Sequence, residues 1–144
     1  MFTKSYAYGV CVYKKNKNKT QILLCKSVKS LDKWGFLKGV AQKGETSKQT
    51  AVREFIEESS IIITQEMLEE YFIQINEDKD IGIYLVNWEN IYNIDSYFIN
   101  DTLYSRYLSW ENSKVKLFDI DNLPPIKRKQ IGIVNNIIKF LNKS

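Results

Sequence analysis

The sequence contains no histidine. That single absence removes imidazole general bases, Ser-His-Asp and Cys-His nucleophile pairs, and every His-ligated metal site. Cysteine is nearly as scarce, and Cys11 and Cys25 cannot complete a four-ligand zinc site without other residue types. Both lie in apolar, strand-like runs and read as buried thiols in a reducing cytosol. No apolar run approaches the roughly 18 residues of a membrane span. The N-terminal MFTKSYAYGV lacks the apolar centre of a signal peptide. No Pro- or Ser-rich linker, internal repeat or low-complexity tract interrupts the chain. The expectation is one cytoplasmic domain over residues 1–144, without a membrane partner.

What is present is enough to fold. The chain is 44% hydrophobic and 26% charged, so it can bury a core and is neither disordered nor collagen-like. Its formal charge of +4 hides a segregation. Residues 1–48 carry 11 Lys against Asp32 and Glu45 (+9), and residues 49–112 carry 3 bases against 13 acids (−10). Residues 113–144 carry 7 bases against 2 acids (+5). An acidic block framed by basic ones suits a cation-assisted enzyme with an anionic substrate.

Residues 6–13 alternate aromatic and small apolar side chains and read as a strand. The polar run 14–20 reads as a hairpin turn and 21–27 as the returning strand. Gly35, Gly39 and Gly44 punctuate a loop over residues 33–44. Thr46, with Gln49 three residues on, forms a capping-box pattern that opens a helix running to about Ser59. A short β-branched strand is expected at 61–64, and paired strands at 72–76 and 81–88. Glu77, Asp78 and Asp80 lie in the loop that reverses the chain between that pair. Residues 91–106 read as loop with a possible short strand, 115–120 as a strand, and 126–141 as an amphipathic helix beginning at Lys127-Arg128-Lys129. Strands, helix, strands, helix is the order of a mixed sheet with helices packed on it, an α/β architecture.

The central helix carries the chemistry. Glu54, Glu57 and Glu58 stand at i, i+3 and i+4 and share a face, while Val52, Phe55, Ile56 and Ser59 turn the other way. Crowded carboxylates destabilise a helix, and a divalent cation turns their repulsion into attraction. Hard oxygen ligands without nearby His or Cys suit Mg²⁺ or Mn²⁺.

From Gly39 the chain reads GVAQKGETSKQTAVREFIEESSI. Gly39, Glu45, Arg53, Glu54, Phe55, Glu57, Glu58 and Ile61 fit the pattern G-x5-E-x7-R-E-U-x-E-E-x-G-U, with U a bulky apolar residue. Six fixed matches arise by chance in roughly one window in 10⁷ at average residue usage. Ser60 stands where the pattern has Gly. The segment resembles the Nudix box, over residues 39–61.

The resemblance implies an α/β/α sandwich, with a mixed sheet between helices, that hydrolyses nucleoside diphosphates linked to another group with divalent metal. By position, Glu57 and Glu58 would be the main metal ligands and the Gly39 carbonyl a further one. Glu54 would be a ligand or the general base, with Arg53 holding its carboxylate through a charge-assisted fork. Glu45 would support the cluster or the loop–helix junction. Glu111 matches best a downstream catalytic Glu that many Nudix enzymes place near a late strand. The stretch KWGFLKG, residues 33–39, is similar to the W-x-F-P-K-G segment of Nudix enzymes acting on dinucleoside polyphosphates or RNA 5′ ends, with Leu37 in place of Pro. Trp34 or Phe36 would then stack a base and Lys38 hold a phosphate; their alternative is sheet core. Trp88 and Trp110 read as core or rim. Dinucleoside polyphosphates or RNA 5′ ends are expected ahead of free (d)NTPs. A non-catalytic Nudix-fold module that binds a nucleotide is the other reading, against which the intact Arg53, Glu54, Glu57 and Glu58 argue. Ser60 predicts a slightly altered helix exit with catalysis retained.

Overall fold

A computed structural model describes residues 3–143. Strand β1 (Ser5–Asn16) turns through residues 17 and 18 into β2 (Lys19–Ser27), so the polar turn is tighter than expected. Then follow β3 (Leu37–Val40), α1 (Ser47–Ser59), β4 (Tyr71–Gln74), β5 (Lys79–Asn87), β6 (Phe98–Ile99), β7 (Thr102–Leu103), β8 (Asn112–Asp119) and α2 (Ile131–Lys143). The sheet order is β4-β5-β1-β2-β8-β7-β6, with β3 also paired to β1. β1 and β5 run parallel and the other pairs antiparallel, which makes the sheet mixed.

Side chains alternate across the strands with period two. Val10, Val12, Leu23, Cys25, Tyr84 and Val86 join Ala51 and Phe55 of α1 in one core. Cys11, Ile22, Leu24, Ile81, Ile83 and Leu85 join Ile133, Val134, Ile137 and Leu141 of α2 in a second. The result is the expected helix–sheet–helix sandwich. Phe55 is fully buried, a contribution of about 1.5–3 kcal/mol from its side chain. Both cysteines are free and buried. Among the described residues no helix is long and apolar enough to cross a membrane.

The long β1 positions the site because one of its edges serves two partners. Tyr13–Asn16 pair with β2, whereas Ala7–Val10 pair with β3. β2 leaves that edge beyond Ile22, and its Cys25 bridges Gly35 in the approach to β3. Gly9 is needed here, since a Cβ on it would overlap the Leu37 carbonyl and the Lys38 Cβ.

Three expectations are corrected. Residues 33–44 are not loop throughout, because β3 lies within them. Residues 61–64 form no strand: Ile61 and Ile63 are buried and Ile62 is exposed, a strand-like alternation, but the backbone joins no ladder. The last helix begins at Ile131 rather than near residue 126. Ile126 instead bridges Trp34 in parallel fashion, and residues 128–130 form a 3-10 turn. Lys127 therefore precedes α2, and the three cations do not form its first turn.

Candidate active site

Helix α1 starts as its sequence predicts. Thr46 Oγ1 accepts from the Gln49 N–H at 3.1 Å, and Gln49 Oε1 accepts from the Thr46 N–H at 2.9 Å, a reciprocal cap. It ends at Ser60 with φ 65°, the left-handed conformation that glycine would adopt more easily. Ser60 Oγ donates to the Tyr107 carbonyl at 3.0 Å.

Arg53 is the hub of the acidic face. Its Nε and Nη2 donate to Glu45 at 2.6 and 2.9 Å, a two-toothed fork. Nη1 donates to Glu54 at 2.9 Å and reaches both Glu57 oxygens at 3.1 and 3.2 Å. The fork expected on Glu54 is thus spent on Glu45, and Glu54 takes one bond. Glu45 also accepts from the Gln42 N–H and from Thr50 Oγ1, both at 2.9 Å. The Arg53 guanidinium, followed by these donors, holds the Glu45 carboxyl down to about 2. Glu45, in turn, is the largest influence raising Arg53. Glu54 lies against Gly39 so closely that a Cβ there would overlap its carboxylate. This contact gives a physical reason for glycine at the first position of the motif.

Glu58 differs from its neighbours. It is 7% exposed, and Asn112 Nδ2 donates to its Oε1 at 2.8 Å. Burial pushes its carboxyl up to about 8; Asn112 opposes, Glu54 adds repulsion, Lys38 opposes and Glu111 adds more. A buried carboxyl beside two others has its charge relieved by a proton or by a cation.

Glu54, Glu57, Glu58 and Glu111 open onto one cleft of about 340 Å³, together with Gly39, Lys38, Lys79, Asn112, Lys127 and Gln130. Glu111 precedes β8 directly, because that strand begins at Asn112, three residues before its expected start. Lys38 lines the same cleft as the carboxylates. Burial pushes its ammonium down to about 8, with Lys79 and Lys127 adding to that and Cys25 and Glu58 opposing.

The oxygen-only donor set, the buried Glu58 and the Gly39 cradle around Glu54 fit a hard divalent cation. Among the described residues no three acidic, His or Cys side chains already enclose such an ion. Arg53 draws Glu54 and Glu57 to itself, and Asn112 draws Glu58. The Glu57 side chain is 53% exposed, so it can turn from Arg53 without unpacking the core.

Trp34 and Phe36 correct the expectation of base stacking. They are 9% and 2% exposed and belong to the α2-side core, where Trp34 meets Phe118 edge-on at 4.7 Å. Rings enclosed in this way have no face to offer a nucleobase. Trp88 is core, whereas Trp110 is 84% exposed beside Glu111. Asn112, Gln130 and Lys79 were not singled out from the sequence.

Comparison with known families decides the lineage. The sequence matches the NUDIX domain over residues 5–132. The chain belongs to the Nudix family. A Nudix hydrolase acts on phosphoanhydride bonds, and that is the enzyme class of this protein. Its Nudix fold is similar to that of an Ap4A hydrolase from C. elegans in a binary complex: 22% identity, 97% of this chain and 99% of the other covered, TM-score 0.64. It is similar also to the NUDIX domain of Shewanella oneidensis NrtR complexed with ADP ribose: 13% identity, 98% and 90% covered, TM-score 0.70. At such identities the likeness speaks for the Nudix fold alone. A search of curated proteins finds no match.

Proposed function

We propose that this Nudix protein is a Mg²⁺- or Mn²⁺-dependent pyrophosphohydrolase acting on a nucleotide, with dinucleoside polyphosphates or RNA 5′ ends favoured over (d)NTPs. The observation carrying this reading is that the carboxylates of α1 and the ammonium of Lys38 face one cleft. Glu57, Glu58, Glu111 and the Gly39 carbonyl would hold the cation, leaving Glu54 as the base. When bound, such a cation acidifies water and neutralises phosphate charge.

The chain's own residues do the rest. Glu54, held by Arg53 Nη1 at 2.9 Å, is oriented to accept the proton of an attacking water at its carboxylate. Arg53 is a positioning residue: fixed by Glu45, it sets where Glu54 and Glu57 point. Lys38, held beside low-dielectric core, donates to the phosphate chain. An Ap4A hydrolase and an ADP-ribose complex among the similar folds agree with a nucleotide carrying linked phosphates.

The test is product release from a panel of dinucleoside polyphosphates, sugar nucleotides, (d)NTPs and 5′-triphosphorylated RNA with Mg²⁺ or Mn²⁺. Cleavage that chelator abolishes is the expected result. Metal-independent turnover contradicts the metal assignment. Nucleotide binding without cleavage of any member makes the chain a binding module instead.

A further inference from the structure

The cleft's basic wall is more than Lys38. Lys79, first residue of β5, and Lys127, from the segment before α2, line the same cleft and the adjoining groove with it. All three are half-buried. None of their ammonium groups has a hydrogen bond or a carboxylate within ion-pair distance among the described residues. The contrast with adjacent cations is direct. Lys129 pairs with Asp78 at 2.6 Å and Lys4 with Asp80 at 2.8 Å. Acids are therefore available nearby, and these three lysines are left facing one another.

The placement is built by the backbone rather than by the lysine side chains. The Trp34 N–H donates to the Pro125 carbonyl at 2.9 Å, and the Lys127 N–H returns to the Trp34 carbonyl at 2.9 Å. Buried Gln130 accepts from the Phe36 N–H at 2.8 Å, filling space that a Cβ on Gly35 would take. These bonds fix Lys127 against the approach to β3. Asn76 then ties the third corner, because its Nδ2 donates to the carbonyls of Lys79 and Lys129 at 2.9 and 3.1 Å. Three chain segments distant in sequence are thus clamped with like charges converging. Such convergence is unfavourable until an anion occupies the gap.

We propose that Lys79 and Lys127, with Lys38, form a cradle for a chain of three or more phosphates, so that the enzyme selects substrates by phosphate number. The proposal rests on the hydrolase reading above and deepens it. Of the three, Lys38 is the lysine that acts on the Glu58 carboxyl, so in this proposal a two-phosphate linkage at the carboxylates meets Lys38 alone. A longer chain passes from the carboxylate wall to the Lys79–Lys127 corner.

Lys79→Gln and Lys127→Gln keep the side-chain stem and break no bond in the structure. In each, KM for a dinucleoside tetraphosphate should rise about tenfold more than KM for a nucleoside diphosphate sugar, the effect of one lost charged contact. Lys17→Gln, at the distant β1–β2 turn, is the control and should move neither. Calorimetry with inorganic tripolyphosphate and pyrophosphate, both with Mg²⁺, supplies an arm independent of turnover. The wild type should prefer tripolyphosphate, and the double variant should lose that preference. Turnover with equal effects on long and short chains overturns the cradle and leaves the hydrolase reading standing. Lysine-dependent tripolyphosphate binding without any turnover supports the cradle and removes the hydrolase reading.

Discussion

Asn112 Nδ2 donates to Oε1 of Glu58 at 2.8 Å, and both residues are buried. One amide at the start of β8 thus ties the last strand to the acidic face of α1. It also opposes the burial that pushes the Glu58 carboxyl up to about 8. Replacing Asn112 by Ala removes that opposition, so the carboxyl holds its proton to still higher pH. The deprotonated form is the one that can bind a cation. The acid limb of kcat/KM should therefore move to higher pH, and activity near neutrality should fall about 10–100-fold, the usual loss when a ligand's partner is removed. A pH–rate profile at a fixed Mg²⁺ concentration below saturation checks this, and an unmoved acid limb contradicts it.

Glu57 and Glu58 should respond differently to the same change. Glu58→Gln neutralises a buried carboxyl while keeping its shape, so it should melt no earlier than wild type. Glu57→Gln removes an i,i+4 pair with Arg53 from a half-exposed side chain, which costs only about 0.3–0.5 kcal/mol. Both should lose at least about 100-fold in turnover, because each removes a proposed metal ligand. Thermal melting alongside kcat separates the two effects. Unchanged rates in both variants would reject the assignment of the carboxylates.

Glu45 should make the fold acid-sensitive in a defined window. Its folded carboxyl is held down to about 2 by Arg53 and the Gln42 and Thr50 donors, whereas a carboxyl in the unfolded chain titrates near 4.3. Proton uptake therefore favours unfolding. The stability from this pairing is complete above about pH 4.3 and is lost as pH falls towards 2. Glu45→Gln should be less stable at pH 7 yet lose less stability between pH 5 and 2 than wild type. Denaturant titrations at both ends of that window measure the difference, and parallel losses contradict the role of Glu45.

The legible parts of this molecule were those written in local spacing. Thr46 and Gln49 announced the cap of α1, and Glu54, Glu57 and Glu58 announced a shared acidic face. The alternation of β1 and β2 announced two-sided burial. Contacts created by sheet register were not legible. Lys79 reaches the cleft because β5 runs parallel to β1 with Ser5 opposite Lys79, and nothing near residue 79 encodes that pairing. Asn112 meets Glu58 only because β8 pairs with β2, whose Ser27 stands opposite Asn112. Trp34 and Phe36 misled for the related reason that an aromatic residue next to a lysine that lines a cleft serves core and ligand equally well. The Ile126–Trp34 bridge and the α2 core decide for core.

Ser60 tests whether a departure from the motif touches function or only the helix exit. It sits at φ 65°, where an L-residue with a Cβ carries about 1 kcal/mol of strain. It keeps one compensating bond, from its hydroxyl to the Tyr107 carbonyl at 3.0 Å, but that bond is exposed to solvent and so contributes little. Relief of the φ strain outweighs the lost bond, and Ser60→Gly should raise unfolding stability by about 0.5–1 kcal/mol. Ser60→Val adds β-branching in the same left-handed conformation and should lower it by about 1–2 kcal/mol. Neither change removes a group from the cleft, so kcat should stay within about twofold of wild type in both, a small fraction of the tenfold that 1.4 kcal/mol of transition-state stabilisation represents. If Ser60→Gly instead alters kcat strongly at unchanged melting temperature, the helix exit positions Glu57 and Glu58, and the serine belongs to the catalytic geometry rather than to the fold.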